Sequence, residues 1–173
     1  MREVADAGRI RRFMRELGRA AEVAASCYFT GGATAVLVGW RPTTIDVDVR
    51  FEPEADELLR AIQDLKDELR INVELASPAE FIPVPAGWQE RSPFVSREGS
   101  VTFRHFDLYA QVLSKLERAH EQDLADVQAL LQLGLVVPER GLAYFEQIEP
   151  ELYRFPAVDA KSFRKRVEAA FRR

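Results

Sequence analysis

The chain of 173 residues has one cysteine, Cys27, and two histidines, His105 and His120. A lone cysteine excludes an intramolecular disulfide, and with so few imidazoles and no cysteine cluster a zinc site is not expected. Cys27 lies in the apolar run Cys27-Tyr28-Phe29, the setting of a buried thiol rather than of a nucleophile. Long hydrophobic runs are also missing. No stretch approaches the ~18 consecutive apolar residues of a membrane span, and the charged N-terminal segment lacks the apolar core of a signal peptide, so a cytoplasmic protein is expected. Positive charge is not in excess: 24 Lys and Arg stand against 28 Asp and Glu, a net charge of −4. That excludes a generally basic surface and leaves any nucleic-acid partner to a local patch.

What is present begins with Asp46 and Asp48 in Thr43-Thr44-Ile45-Asp46-Val47-Asp48-Val49. On a strand, residues two apart project from one face with Cα atoms about 7 Å apart, so both carboxylates point at one spot while Ile45, Val47 and Val49 are expected to face a core. Mg²⁺ (or Mn²⁺) takes oxygen ligands and is commonly held by one or two carboxylates together with the phosphates of a substrate, which makes a nucleotide the first substrate class to consider. Upstream, Thr30-Gly31-Gly32-Ala33-Thr34 follows an apolar strand. Glycines there let the backbone turn tightly into a helix and approach a ligand closely, with amides that favour an anion.

The spacing of Ile10, Phe13, Met14, Leu17, Ala21 and Ala24 predicts an amphipathic helix over 3–25. A strand over 27–30, a short helix over 33–38 and a strand over 44–51 follow. Leu58, Leu59, Ile62, Leu65 and Leu69 mark a helix over 55–69, and Ile71, Val73 and Leu75 alternate with Asn72 and Glu74 as a strand. Residues 76–99 hold four prolines, two glycines and Trp88 without periodicity and read as a loop covering or edging a site, with Trp88 either anchoring it or stacking on a base. A strand over 101–106 precedes a wholly helical remainder, with helices around 138–149 and 159–172. The basic residues Arg164, Lys165, Arg166, Arg172 and Arg173 either suit the C-terminal end of the last helix or form a local patch of an RNA-binding helical module. The expected class is α+β: a small mixed sheet packed with helices over 1–106, then a helical region over 107–173. Glu74 shares a face with Asn72 on its strand, so it is either a third carboxylate beside Asp46 and Asp48 or a solvated strand residue.

A strand, a Gly-Gly turn, a helix and then Asp-x-Asp on the next strand resembles the polymerase-β-like nucleotidyltransferase superfamily. The wider run is similar to a branch related to type IV abortive-infection toxins and aminoglycoside nucleotidyltransferases, in which a lysine-bearing helix precedes an Arg-Asp-x-x-Asp-type segment. Lys115-Leu116-Glu117-Arg118 and Asp123-Leu124-Ala125-Asp126 correspond to it. The resemblance implies an NTP with its phosphates at Gly31 and Gly32, a hydroxyl contact from Thr30 or Thr34, and metal on Asp46, Asp48 and Glu74. Arg41 either reaches a phosphate or pairs with Asp46 or Asp48. Lys115 and Asp123 either form a surface charge pair or hold the triphosphate from one helix face across a cleft. The implied reaction is Mg²⁺-dependent nucleotidyl transfer to a hydroxyl of RNA such as tRNA, of a protein or of a small molecule, in a toxin-like protein with an antitoxin partner. The alternative is a non-catalytic member of the fold that acts as a binding or regulatory partner. His105 and His120 read as surface residues at element ends.

Overall fold

A computed structural model describes residues 3–172. They divide into two compact units, one of residues 3–77 and 92–106, the other of 78–91 and 107–172. The first unit opens with α1 (Ala7–Ala20), whose N-terminus is capped by the Asp6 carboxylate accepting from the Arg9 amide at 2.9 Å. Strand β1 (Ala25–Thr30), α2 (Gly32–Val38), β2 (Asp46–Glu52), α3 (Asp56–Glu68) and β3 (Asn72–Leu75) follow. A short α4 (Trp88–Arg91), which belongs to the second unit, precedes the last strands of the first, β4 (Phe94–Glu98) and β5 (Val101–His105).

The five strands form one mixed sheet in the order β3-β2-β1-β5-β4. β1 runs antiparallel to β2 and parallel to β5, β2 runs parallel to β3, and β4 pairs antiparallel with β5. The period of two sorts the residues by face. Cys27, Phe29, Val47, Val49, Phe51, Val73, Val101 and Phe103 are in the core with Ile10, Phe13, Met14 and Leu17 of α1 and Leu58, Ile62 and Leu65 of α3. Burying each large side chain contributes about 1.5–3 kcal/mol. The intervening positions, Asp46 and Asp48 on β2 and Asn72 and Glu74 on β3, lie on the opposite face.

Three expectations change. Ile45 is 72% exposed, because the ladder of β2 starts only at Asp46, and Thr44, the residue before Ile45, is held by paired backbone bonds to Ala5 (Ala5 N to Thr44 O 2.8 Å, Thr44 N to Ala5 O 2.9 Å). Thr44 is thereby the buried one, and Ile45 is turned outward. Leu75 at the end of edge strand β3 is also exposed. The segment over 76–99 contains α4 and β4 rather than loop alone. β4 escapes a pattern search because it is an edge strand whose first residue, Phe94, is exposed and whose pairing shifts register between Phe94 and Ser96. Trp88 is buried and serves as an anchor for its own segment.

The second unit carries α5 (Leu108–Arg118), α6 (Glu121–Gln132), α7 (Pro138–Ile148) and α8 (Ala160–Phe171). Arginines of its basic cluster are engaged internally. Arg164 bridges Glu149 and Glu168, and Arg166 donates to the carbonyls of Leu116 and Glu117 at the end of α5. Arg173 lies outside the described residues. No helix among the described residues is long and apolar enough to cross a membrane.

Candidate active site

The polar face of β2 and β3 is set by register. Asp46 pairs with Asn72 and Asp48 with Glu74 in the parallel ladder, so two acidic residues of β2 and one of β3 stand on one face in adjacent rows. Asn72 joins them: its side-chain amide donates to Asp46 Oδ1 and, at 3.1 Å, to Glu74 Oε1. Asp46 and Asp48 are half-buried, whereas Glu74 is exposed. Among the described residues no three Asp, Glu, His or Cys side chains are gathered closely enough to hold a metal ion between them. The two carboxylates of β2 nevertheless have the donor chemistry of a Mg²⁺ site in which substrate phosphates complete the shell.

On the neighbouring strand, Thr30 is in register with Asp48, and the chain then turns at Gly31, φ 62°, into α2. That positive φ suits glycine. A Cβ on Gly31 would meet Asp48 Oδ2 at 3.3 Å, so the turn lies directly against the carboxylate. Gly32 is required for a different reason: a Cβ there would stand 2.0 Å from Thr44 Oγ1 and 2.7 Å from Thr44 Cβ. Gly32→Ala should therefore cost about 1–3 kcal/mol by overpacking, measurable as a lower denaturation midpoint. An unchanged midpoint would show that Thr44 yields without cost. Arg41 is half-buried in the connection from α2 to β2, where its amide donates to Ala35 O at 3.3 Å.

Thr34 and His105 sit behind the turn. Thr34 is fully buried, with its hydroxyl 3.3 Å from Phe29 O and 3.0 Å from His105 Nδ1. His105, expected at the surface, is only 7% exposed, because the last register position of β5 places it opposite Phe29. Burial, with a smaller contribution from the Arg11 charge, lowers its pKa to about 4. The unfolded chain, with an ordinary histidine near 6.5, takes up the proton first. Stability from this group is therefore present above pH 6.5 and is lost as pH falls towards 4. Between pH 7 and 5 the loss should be about 2 kcal/mol, and His105→Leu should remove that slope from denaturation curves. An unaltered slope in the variant would assign the acid sensitivity to other groups.

Residues 8–136 match the family described as nucleotidyltransferase of unknown function, DUF6036. The chain belongs to that family. It matches no curated protein and no solved structure. The matched span of this nucleotidyltransferase family member includes both the strand pair with its acidic face and the lysine-bearing helix α5.

In the second unit of the family member, α5 does not continue to Asp123. Ala119, φ 55°, ends it and α6 begins after His120. Lys115 and Asp123 therefore meet across a helix junction, 3.8 Å apart, and not along one helix face. The shorter ion pair is one that sequence spacing did not select, Lys115 Nζ to Asp126 Oδ2 at 2.7 Å, with Asp126 fully buried. Burial pushes the Asp123 carboxyl up, but the hydrogen bonds and charge of Arg118, with Lys115 behind them, outweigh it and hold the group below its ordinary value. An Asp at the third position of α6 that also accepts the His120 amide (3.2 Å) is a capping residue as well. His120 itself is exposed.

An open groove of about 380 Å³ runs between α3 and the edge strand β3, lined by Leu59, Ile62, Lys66, Val73, Glu74 and Leu75. Of the acidic set it takes in only Glu74.

Proposed function

We propose that the protein transfers a nucleotidyl group from an NTP to an acceptor hydroxyl. The observation that supports this reading is the placement of Asp46 and Asp48 on one face of β2 with Asp48 Oδ2 against the Gly31 turn, in a chain whose family is described as a nucleotidyltransferase. In the reaction the acceptor hydroxyl gives up its proton to water, its oxygen bonds to the α-phosphorus, the bond from that phosphorus to the bridging oxygen breaks, and pyrophosphate leaves. The work left to a protein is positioning and compensation of charge.

Asp46 and Asp48 would hold Mg²⁺ or Mn²⁺, with Glu74 as the third carboxylate of the face. A divalent ion bound there would supply charge compensation between the attacking and leaving oxygens. Gly31 and Gly32 would present their backbone to the phosphates, with no side chain on Gly31 between the turn and Asp48. Arg41, in the connection that leads into β2, is the cation of this unit proposed to meet a phosphate. Thr34 is kept from direct contact by its burial and serves the turn from behind.

The finer placement, a toxin-like member acting on RNA or protein with an antitoxin as partner, rests on the similarity of Lys115 to Arg118 and Asp123 to Asp126 to the type IV toxin pattern. A second reading, a non-catalytic binding partner, is favoured by one observation: the Asn72 amide already links Asp46 and Glu74, so the acidic face can be held together without a cation. Incubation with each labelled NTP, Mg²⁺ and separate RNA, protein and small-molecule pools decides between them. Transfer that is lost on chelation is the expected result. Failure to transfer from any NTP to any pool, together with metal-independent nucleotide binding, would leave the binding reading in place.

A further inference from the structure

Hydrogen bonds behind the Gly31 turn form a chain. The Thr34 hydroxyl has one proton, which it gives to Phe29 O at 3.3 Å. The His105 contact at 3.0 Å then runs from the ring, with Nδ1–H donating to the hydroxyl oxygen. Phe29 O accepts a second bond from the Phe106 amide at 2.7 Å, and His105 is itself tied by its amide to Pro93 O at 2.8 Å. The chain thus runs from Phe29 O on β1, through Thr34 in the first turn of α2, to His105 on β5. Between its two anchors on β1 and α2, at Phe29 and Thr34, lies Gly31, whose backbone rests against Asp48 Oδ2.

A glycine turn at positive φ has little intrinsic rigidity. On its front it is limited by Asp48 and, at Gly32, by Thr44. Behind it, the buried polar contact comes from His105, and the ring is neutral at pH 7 because burial and the Arg11 guanidinium on α1 both oppose its charging. A neutral imidazole supplies a fixed donor without adding a cation behind a site that must balance phosphates and carboxylates.

We propose that His105 is a positioning residue: through Thr34 it fixes the Gly31–Gly32 turn relative to Asp48, and so sets how well the site receives a metal-bound nucleotide. The inference rests on the nucleotidyltransferase reading and adds to it a residue on a strand that carries none of the acidic groups. It also gives Thr34 a role that its burial permits, as the link in the chain rather than a phosphate ligand.

The test uses the full chain with Mg²⁺ and the NTP that serves as its substrate. Thr34→Val preserves shape and deletes the hydroxyl, and His105→Leu deletes the ring donor. Each should raise the KM and the calorimetric Kd for the nucleotide by about tenfold, the equivalent of one hydrogen bond, with a smaller change in kcat. The double variant should be no worse than the singles, because both remove the same link. Thr34→Ser and His105→Asn, which keep a hydroxyl and an amide donor near the original positions, should recover most of the affinity. A measurement on the unaltered protein stands beside these: as His105 is titrated with acid, the amide NMR signals of Gly31 and Gly32 should move with the ring signals. Lower thermal stability in Thr34→Val and His105→Leu with unchanged KM and Kd would make the chain purely structural and overturn the proposal. If neither variant folds, glycine signals that ignore the His105 titration overturn it. Wild-type protein that binds no NTP at all would instead remove the nucleotidyltransferase reading, and this inference with it.

Discussion

Asp48→Asn is expected to lower nucleotidyl transfer by about 10³-fold or more while leaving the fold intact. Asparagine has the shape of aspartate, so Val47 and Val49 on either side keep their places in the core. What changes is charge at the one carboxylate that stands against the Gly31 turn. Stability should shift by less than about 1 kcal/mol, since the residue is half-buried on the polar face. Asp46→Asn should be less informative, because the Asn72 amide that donates to Asp46 must find an acceptor in the new side chain. The assay is steady-state transfer from labelled NTP at saturating Mg²⁺, with a denaturation curve for each protein. Transfer by Asp48→Asn within about a factor of ten of wild type would remove the acidic face from the reaction.

Lys115→Ala should have the largest effect on stability, a loss of about 3–5 kcal/mol. Lys115 is 5% exposed and Asp126 is fully buried, 2.7 Å away. Truncating the lysine takes the ammonium away from a buried carboxylate that still accepts from Gln122 Nε2 at 3.3 Å, and the cost of burying that charge without its cation exceeds anything lost in packing. The paired variant Lys115→Met with Asp126→Leu should recover much of the loss, because replacing both partners by apolar side chains removes the desolvation penalty along with the attraction. Denaturant titrations of the wild type, Lys115→Met, Asp126→Leu and the paired variant measure the coupling. A loss below about 1 kcal/mol in Lys115→Ala would mean that the pair is hydrated in solution. Any effect of this substitution on nucleotide use has to be read at temperatures where the variant remains folded.

The acidic face was legible for a simple reason. Alternation on a strand is local, so Asp46 and Asp48 against Val47 and Val49 could be read without a partner strand. The turn at Gly31-Gly32 was legible because glycine supplies the backbone freedom needed where an apolar strand turns directly into a helix. The reason for Gly32 was not, since the atom that forbids a side chain there belongs to Thr44, twelve residues on. Ile45 followed the same alternation and still turned outward, because Ala5 captures the backbone of Thr44 before the ladder begins. The C-terminal arginines carried the sequence signature of a basic patch, yet Glu149, Glu168 and the end of α5 engage Arg164 and Arg166.

By itself the sequence determined the class of fold, the order of its elements outside residues 76–99, the Gly-Gly turn and the pair of carboxylates two residues apart, all set by periodicity and by the backbone freedom of glycine over a few residues. Only the tertiary structure decided that Glu74 stands in register with Asp48, that His105 is buried behind the turn, and that Lys115 pairs with Asp126 across a break at Ala119. Each of these depends on which strand or helix lies alongside. Such pairings arise from the burial of whole faces, to which distant residues contribute together, and so no local pattern encodes them.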